Sequence, residues 1–138
     1  MDAYKNTEIL LKKYRDVIWN IEVAKMQLDI KTENPINELL ELGYTYNIQI
    51  EEQAKILDKN KRMIELINNA LELIQNKRKN GQEFYKILYY TYTSDEQFNT
   101  CRDVINKLNE DGYYMSEKSY FGKKKQAIKL LSEILFGG

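Results

Sequence analysis

GYYMSEKSYFGKKKQAIKLLSEILFGG, residues 112–138, is a helix with its boundaries written into it. Gly112 breaks whatever precedes it. Ser116 is an N-cap residue, because its hydroxyl can accept a hydrogen bond from a free backbone N–H of the first turn. The spacing predicts a helix from Glu117 to about Phe136. Tyr120, Ala127, Ile128, Leu131, Ile134 and Leu135 form its apolar stripe, and Glu117, Lys118, Ser119, Gly122 and Lys123 are its polar opening. The charge is lopsided here: Lys118, Lys123, Lys124, Lys125 and Lys129 stand against Glu117 alone between Gly112 and Leu130.

Upstream, the same rules predict a partner. Ser94 with Gln97 reads as a capping box opening a helix that carries Phe98, Cys101, Val104 or Ile105, and Leu108, and ends at Asn109–Gly112. Before it, Gln82–Tyr92 reads as a helix with Phe84, Ile87, Leu88 and Thr91 on one face. Tyr85, Tyr89 and Tyr92 form a second aromatic stripe. Gly81 reads as the joint in front of this three-helix region, residues 81–138.

Residues 1–80 read as a helical arm or hairpin. A first helix over Ala3–Asp29 has its seam at Leu10, Tyr14, Val17, Ile21, Ala24 and Leu28, at the steps of four and three that suit helix pairing. Trp19 sits beside the seam, positioned to anchor a neighbour. Lys31–Asn34 is polar and ends the pattern. Asn34-Pro35 starts a short helix to Leu42, closed by Gly43. Tyr44–Asn47 reads as a connection. A second long helix over Ile48–Lys79 has its seam at Ile50, Leu57, Ile64, Ile67, Leu71 and Ile74. Gln53 and Asn60 fall on that seam, where they either fix register or mark solvent exposure. The basic run before Gly81 either complements the helix dipole or touches DNA.

The fold class is therefore all-α, and composition narrows what such a fold does. Apolar residues make up 43% of 138, enough for a core. No apolar run approaches the roughly 20 residues a membrane span needs, and the N-terminus lacks the apolar stretch of a signal peptide. The expected place is the cytoplasm, with no membrane partner. There is no histidine, so the commonest general base and metal ligand is missing. The single Cys101, among apolar neighbours, reads as a small core residue. No zinc, phosphate-loop or nucleophile-elbow motif occurs. No catalytic residue, metal or cofactor is expected. With 21 basic and 21 acidic residues the chain is neutral, which counts against non-specific coating of nucleic acid but not against a local basic site.

Such a site is where the last two helices point. A helix-turn-helix packs its first helix across its second, leaving the second to enter the major groove with its N-terminal residues at base edges. On that reading Glu117, Lys118 and Ser119 face bases, and Ser116, Lys123 and Lys125 hold phosphates. Lys124 is turned partly inward. Tyr113 and Tyr114, in the turn, either bond phosphates or pack beneath it. Gly122 lowers helix propensity by roughly 1 kcal/mol against alanine, and either allows a close approach to the DNA backbone or is merely tolerated.

These residues carry a resemblance. From Phe84 to Gly138 the chain resembles the C-terminal part of the ArpU/RinA-type phage late-transcription regulators, which are similar to the region-four domain of bacterial sigma factors. The matching positions are Ser116, Ser119, Tyr120, Phe121, the Lys123–Lys125 tract, Ala127-Ile128 and Phe136-Gly137. Gly122 departs from the pattern, standing where the family has arginine, with Lys123 next to it. The resemblance implies promoter binding and activation of late genes in a bacterial host cell. The partner is double-stranded DNA, and on this reading the N-terminal arm mediates either self-association or contact with RNA polymerase; seams that pair between chains make a homodimer, and seams that pair within one chain make a hairpin. The alternative reading is a helical interaction or assembly module that never touches DNA. The long seams and zero net charge favour it.

Overall fold

The computed structural model of the chain describes residues 2–33 and 43–137, and their side chains outside 29–50. Among these residues there is no strand. The elements are α1 (Ala3–Glu33), α2 (Gly43–Lys77), α3 (Gly81–Leu88) continued by a π-helical segment (Tyr89–Thr93), α4 (Cys101–Glu110) and α5 (Glu117–Phe136). The all-α class and the long N-terminal helix hold. No helix among the described residues is long and apolar enough to cross a membrane.

Two boundaries of the N-terminal region move. Helix α1 continues through Lys31–Glu33, because polar residues without glycine or proline do not by themselves stop a helix. Helix α2 begins at Gly43, so Gly43 opens a helix rather than closing one, and Tyr44–Asn47 are helical. Their weak propensities amount to tenths of a kcal/mol each, too little to break a 35-residue helix. The short helix read over Pro35–Leu42 lies outside the described residues, as does the Ile50 side chain.

The chain divides into two compact units, Met1–Arg15 with Leu66–Gly138, and Asp16–Glu65. Gly81 lies inside the first. In the second unit Ile21, Leu57 and Ile64 are buried on the expected seams, Gln53 and Asn60 are half-buried, and Trp19 is 69% exposed rather than anchored. The ion pairs Lys25–Glu22 and Arg62–Asp58 are exposed there, and such pairs contribute little.

In the first unit the α1 seam holds at Tyr14 and departs from the expected line before it, where Leu11 takes the place of Leu10. Thr7, Leu11 and Tyr14 are buried, and Leu10 is only half-buried. Thr7 can be buried because its hydroxyl donates to the Ala3 carbonyl at 2.8 Å. The Tyr14 hydroxyl donates to Asn68 Oδ1 at 2.6 Å, so α1 and α2 lie side by side within one chain here.

The C-terminal helices are built around Ile87, Tyr90, Val104, Ile105, Leu108 and Tyr120, with Phe98, Cys101, Tyr113 and Met115 packed against them. Helix α5 packs chiefly on α3, and α4 on α5 and the π-helical segment. The expected capping box at Ser94 is not formed. Ser94 ends the π-helical segment in extended conformation, and its hydroxyl donates to the Glu96 carbonyl at 2.5 Å. The same motif occurs one turn and a half later and is used there: Thr100 Oγ1 accepts from Asp103 N at 3.2 Å, and α4 starts at Cys101.

What holds Ser94 is Arg15. Its guanidinium donates to the carbonyls of Ser94 (3.0 Å), Thr91 (3.4 Å) and Glu96 (3.4 Å) and to Ser94 Oγ (3.3 Å). Burial holds its pKa below the ordinary guanidinium value. Replacing Arg15 by leucine keeps the stem and orphans these acceptors. We expect a loss of about 2 kcal/mol in urea unfolding, with Arg15→Lys recovering only part, since an ammonium lacks the planar fork. A leucine variant as stable as wild type would refute the clamp.

Candidate nucleic-acid interface

Helix α5 starts where its sequence says. Ser116 Oγ accepts from Ser119 N at 3.1 Å, and Gly137, at φ 77°, closes the helix in the left-handed region that glycine tolerates. The connection from α4 turns at Gly112, with φ 92°, and Tyr113 N donates back to the Leu108 carbonyl at 2.9 Å, as in a helix-closing motif. Asp111 pins this end. Its carboxylate accepts the Tyr90 hydroxyl and pairs with Lys86 at 3.5 Å. The Tyr90 hydrogen bond, then the Lys86 charge, hold Asp111 below the usual carboxylate range despite opposing burial. A depressed carboxylate stabilises the fold above its unfolded pKa and loses that contribution as pH falls through the lowered value.

The apolar stripe of α5 is Tyr120, Ala127, Ile128 and Leu131, with Ser132 buried beside them. It stops a turn short of the expectation: Ile134 is exposed and Leu135 half-buried. The Tyr120 hydroxyl shares a hydrogen bond with Thr91 Oγ1 at 2.8 Å, which fixes the start of α5 against the end of the α3 segment.

The predicted site residues fall into three groups. Lys118 and Lys125 are exposed, as is Lys129, and none of the three has an ion-pair partner among the described residues. With Gly122 they occupy steps of four, three and four along α5, so all lie on one solvent face. A Cβ added at Gly122 would meet nothing within 4 Å, leaving bare backbone between Lys118 and Lys125. Tyr114, 79% exposed, stands in the turn in front of this face, while Tyr113 packs against the core. Tyr113 therefore takes the packing reading, and Tyr114 does not. Ser116 and Ser119 are used in the cap.

The second group is already engaged within the chain. Lys123 pairs with Glu83 of α3 at 2.7 Å, with both side chains more than two-thirds covered. Lys124 is half-buried, its Nζ 5.1 Å from the Phe121 ring centroid and 5.6 Å from that of Tyr120. Burial lowers its pKa. These two lysines hold α5 in place, and Lys124 is turned inward as the helical register suggests. The third group is Glu117 alone. Its carboxylate is exposed, 3.7 Å from Arg102 of α4 and 3.6 Å from Cys101 Sγ. Arg102 and Glu83 had no sequence signal; each lies on a different helix from its partner.

Among the described residues no group of three or more histidine, cysteine, aspartate or glutamate side chains is placed to hold a metal ion. No protein-family model, curated protein or solved structure matches the chain.

Proposed function

We propose that the chain is a sequence-specific DNA-binding regulator of transcription, with α5 as its reading helix. What supports this is one observation: Lys118, Lys125 and Lys129, without an ion-pair partner among the described residues, stand on a single exposed face of a serine-capped helix, around the bare backbone of Gly122. A lysine at such a position meets a phosphate as a flexible point charge, and one near the helix start reaches a guanine edge. Glu117, 3.7 Å from Arg102, carries the carboxylate that on this reading accepts from a cytosine amino group. The reading needs no catalytic residue, metal or cofactor. Activation of phage late genes is its finer form, resting on the resemblance of Phe84–Gly138 to the ArpU/RinA-type regulators. The N-terminal helices then serve self-association or contact with RNA polymerase. Trp19 and Met26, seven residues apart and exposed on α1, favour a role in association.

The test is a gel shift against fragments of the native genome. The double variant Lys118→Glu, Lys125→Glu is expected to abolish the shift while leaving helical circular dichroism and the unfolding midpoint intact. Replacing both by glutamine should flatten the log–log salt dependence of binding by about 2, since each neutralised phosphate contributes a slope of about 0.9. Lys123→Glu is a poor probe because it sets two carboxylates against each other at Glu83. Binding that survives the double glutamate change removes α5 as the reading helix. The alternative, a helical interaction module without DNA contact, is favoured by the neutral net charge and predicts no shift with any fragment.

A further inference from the structure

The first unit contains a cleft of about 460 Å³ that the DNA reading does not use. That volume lies within the range of small-ligand sites. Its walls are Tyr14 of α1, Tyr85 and Tyr89 of the α3 segment, and Leu71 of α2, and its polar groups include Glu72 and Asp95. Tyr85 and Tyr89 stack with centroids 5.8 Å apart and planes 13° from parallel. The Tyr14 hydroxyl is fixed on Asn68. Thr93 joins this wall because the π-helical segment, closed by Ser94 N on the Tyr89 carbonyl at 2.7 Å, carries the chain round a widened turn.

The charge of this cleft is one-sided. No lysine or arginine lines it among the described residues, and Glu72 and Asp95 have no ion-pair partner there. Two cations stand near it and both are engaged: Lys86, 6.0 Å from the Tyr89 centroid, is committed to Asp111 at 3.5 Å, and Arg15 donates to the carbonyls of Thr91, Ser94 and Glu96; neither is a lining residue. The potential registers on Tyr14. Burial raises its pKa, the Asn68 hydrogen bond opposes, and Tyr85, Asp95 and Tyr89 push it further up. A bare divalent cation is a poor match, because it wants converging oxygens and the walls are aromatic. An organic cation matches both features, with ring faces for its body and carboxylates for its N–H donors. Between organic cations, parallel rings beside carboxylates favour a planar, forked one over a compact ammonium.

We infer that the cleft between Tyr14, Tyr85, Tyr89, Glu72 and Asp95 is a binding site for a guanidinium group, from a free small molecule or from an arginine side chain of a partner protein. The experiment is an NMR titration of the full chain with three probes: agmatine, N-acetyl-arginine amide and tetramethylammonium. At least one guanidinium probe is expected to shift the ring signals of Tyr14, Tyr85 and Tyr89. The Glu72→Gln, Asp95→Asn variant is expected to weaken it by about tenfold or more with an unchanged unfolding midpoint. Agmatine alone binding identifies a free ligand, and the capped arginine binding as well or better identifies a partner's side chain; both outcomes support the site. It is overturned if neither guanidinium probe binds more tightly than about 1 mM, if the double variant binds equally well, or if tetramethylammonium does as well as either. The Lys118→Glu, Lys125→Glu variant is expected to bind agmatine normally, so failure of the DNA reading leaves this one standing.

Discussion

Tyr120→Ala is expected to lower unfolding stability by about 4 kcal/mol, the scale for removing a buried aromatic ring. Tyr120 is 2% exposed and belongs to the cluster of Ile87, Tyr90, Val104, Ile105 and Leu108. Its ring meets Phe121 edge-on at 5.2 Å and lies under Lys124. The alanine leaves a cavity where three helices meet, and it strands the Thr91 hydroxyl that shares its hydrogen bond. Domains are stable by only about 5–15 kcal/mol, so this one change removes a large fraction of the total. Tyr120→Phe keeps the ring and forfeits the hydrogen bond, for about 1 kcal/mol. Urea unfolding of the two variants separates packing from polarity. An alanine variant within 1 kcal/mol of wild type would mean that α5 is not anchored through this residue. The consequence for function follows from position. Tyr120 lies between Lys118 and Gly122, so loosening it moves the exposed lysine face before any lysine is changed.

The second large effect is Gly81→Ala, expected to cost about 3 kcal/mol, at the upper end for overpacking. A Cβ at Gly81 would stand 2.0 Å from the Ile74 carbonyl oxygen and 3.1 Å from that of Gln75. Both are backbone atoms, so no side chain can move aside. Either the start of α3 or the last turn of α2 must shift. The same substitution at Gly122 has the opposite sign. That glycine is helical, exposed and faces open space, so alanine should raise stability by about 1 kcal/mol. Parallel chemical denaturation of the two variants checks the pair. If Gly81→Ala is neutral, the close approach of α3 to Ile74 is wrong.

Gly81 shows what a sequence can and cannot hold. As a glycine after a basic run it reads as a stop, and a stop is indeed there, with Asn80 at φ 61° turning the chain. The reason for glycine is different: it is the room that Ile74 leaves. That distance is set by the tight turn between α2 and α3, in which Arg78 N donates to the Ile74 carbonyl and Gly81 N to the Arg78 carbonyl, and a glycine after a basic run does not spell it out. Ser94 teaches the same point from the other side. Its motif is a valid cap, but Arg15 and Glu96 hold its hydroxyl at the end of the π-helical segment, no helix starts there, and Thr100 caps α4 instead.

The candidate interface divides along the same line. The Ser116 cap, the register of Tyr120, Ala127, Ile128 and Leu131, and the exposure of Lys118 and Lys125 were legible, since each depends on 3.6-residue periodicity and on hydrogen bonds within one turn. The inward turn of Lys124 onto Tyr120 and Phe121 was legible too, since both rings lie within one turn of the same helix. The engagement of Lys123 by Glu83 and of Glu117 by Arg102 was not, since each partner stands on another helix. By itself the sequence determined the all-α class, the limits of α5 and which of its faces is polar, because local sterics and amphipathic spacing act on neighbours in the chain. Only the tertiary structure decided which lysines are left free and where a cleft of unpaired carboxylates opens. Those depend on distances between residues as far apart as Tyr14, Glu72 and Asp95, which packing alone brings together.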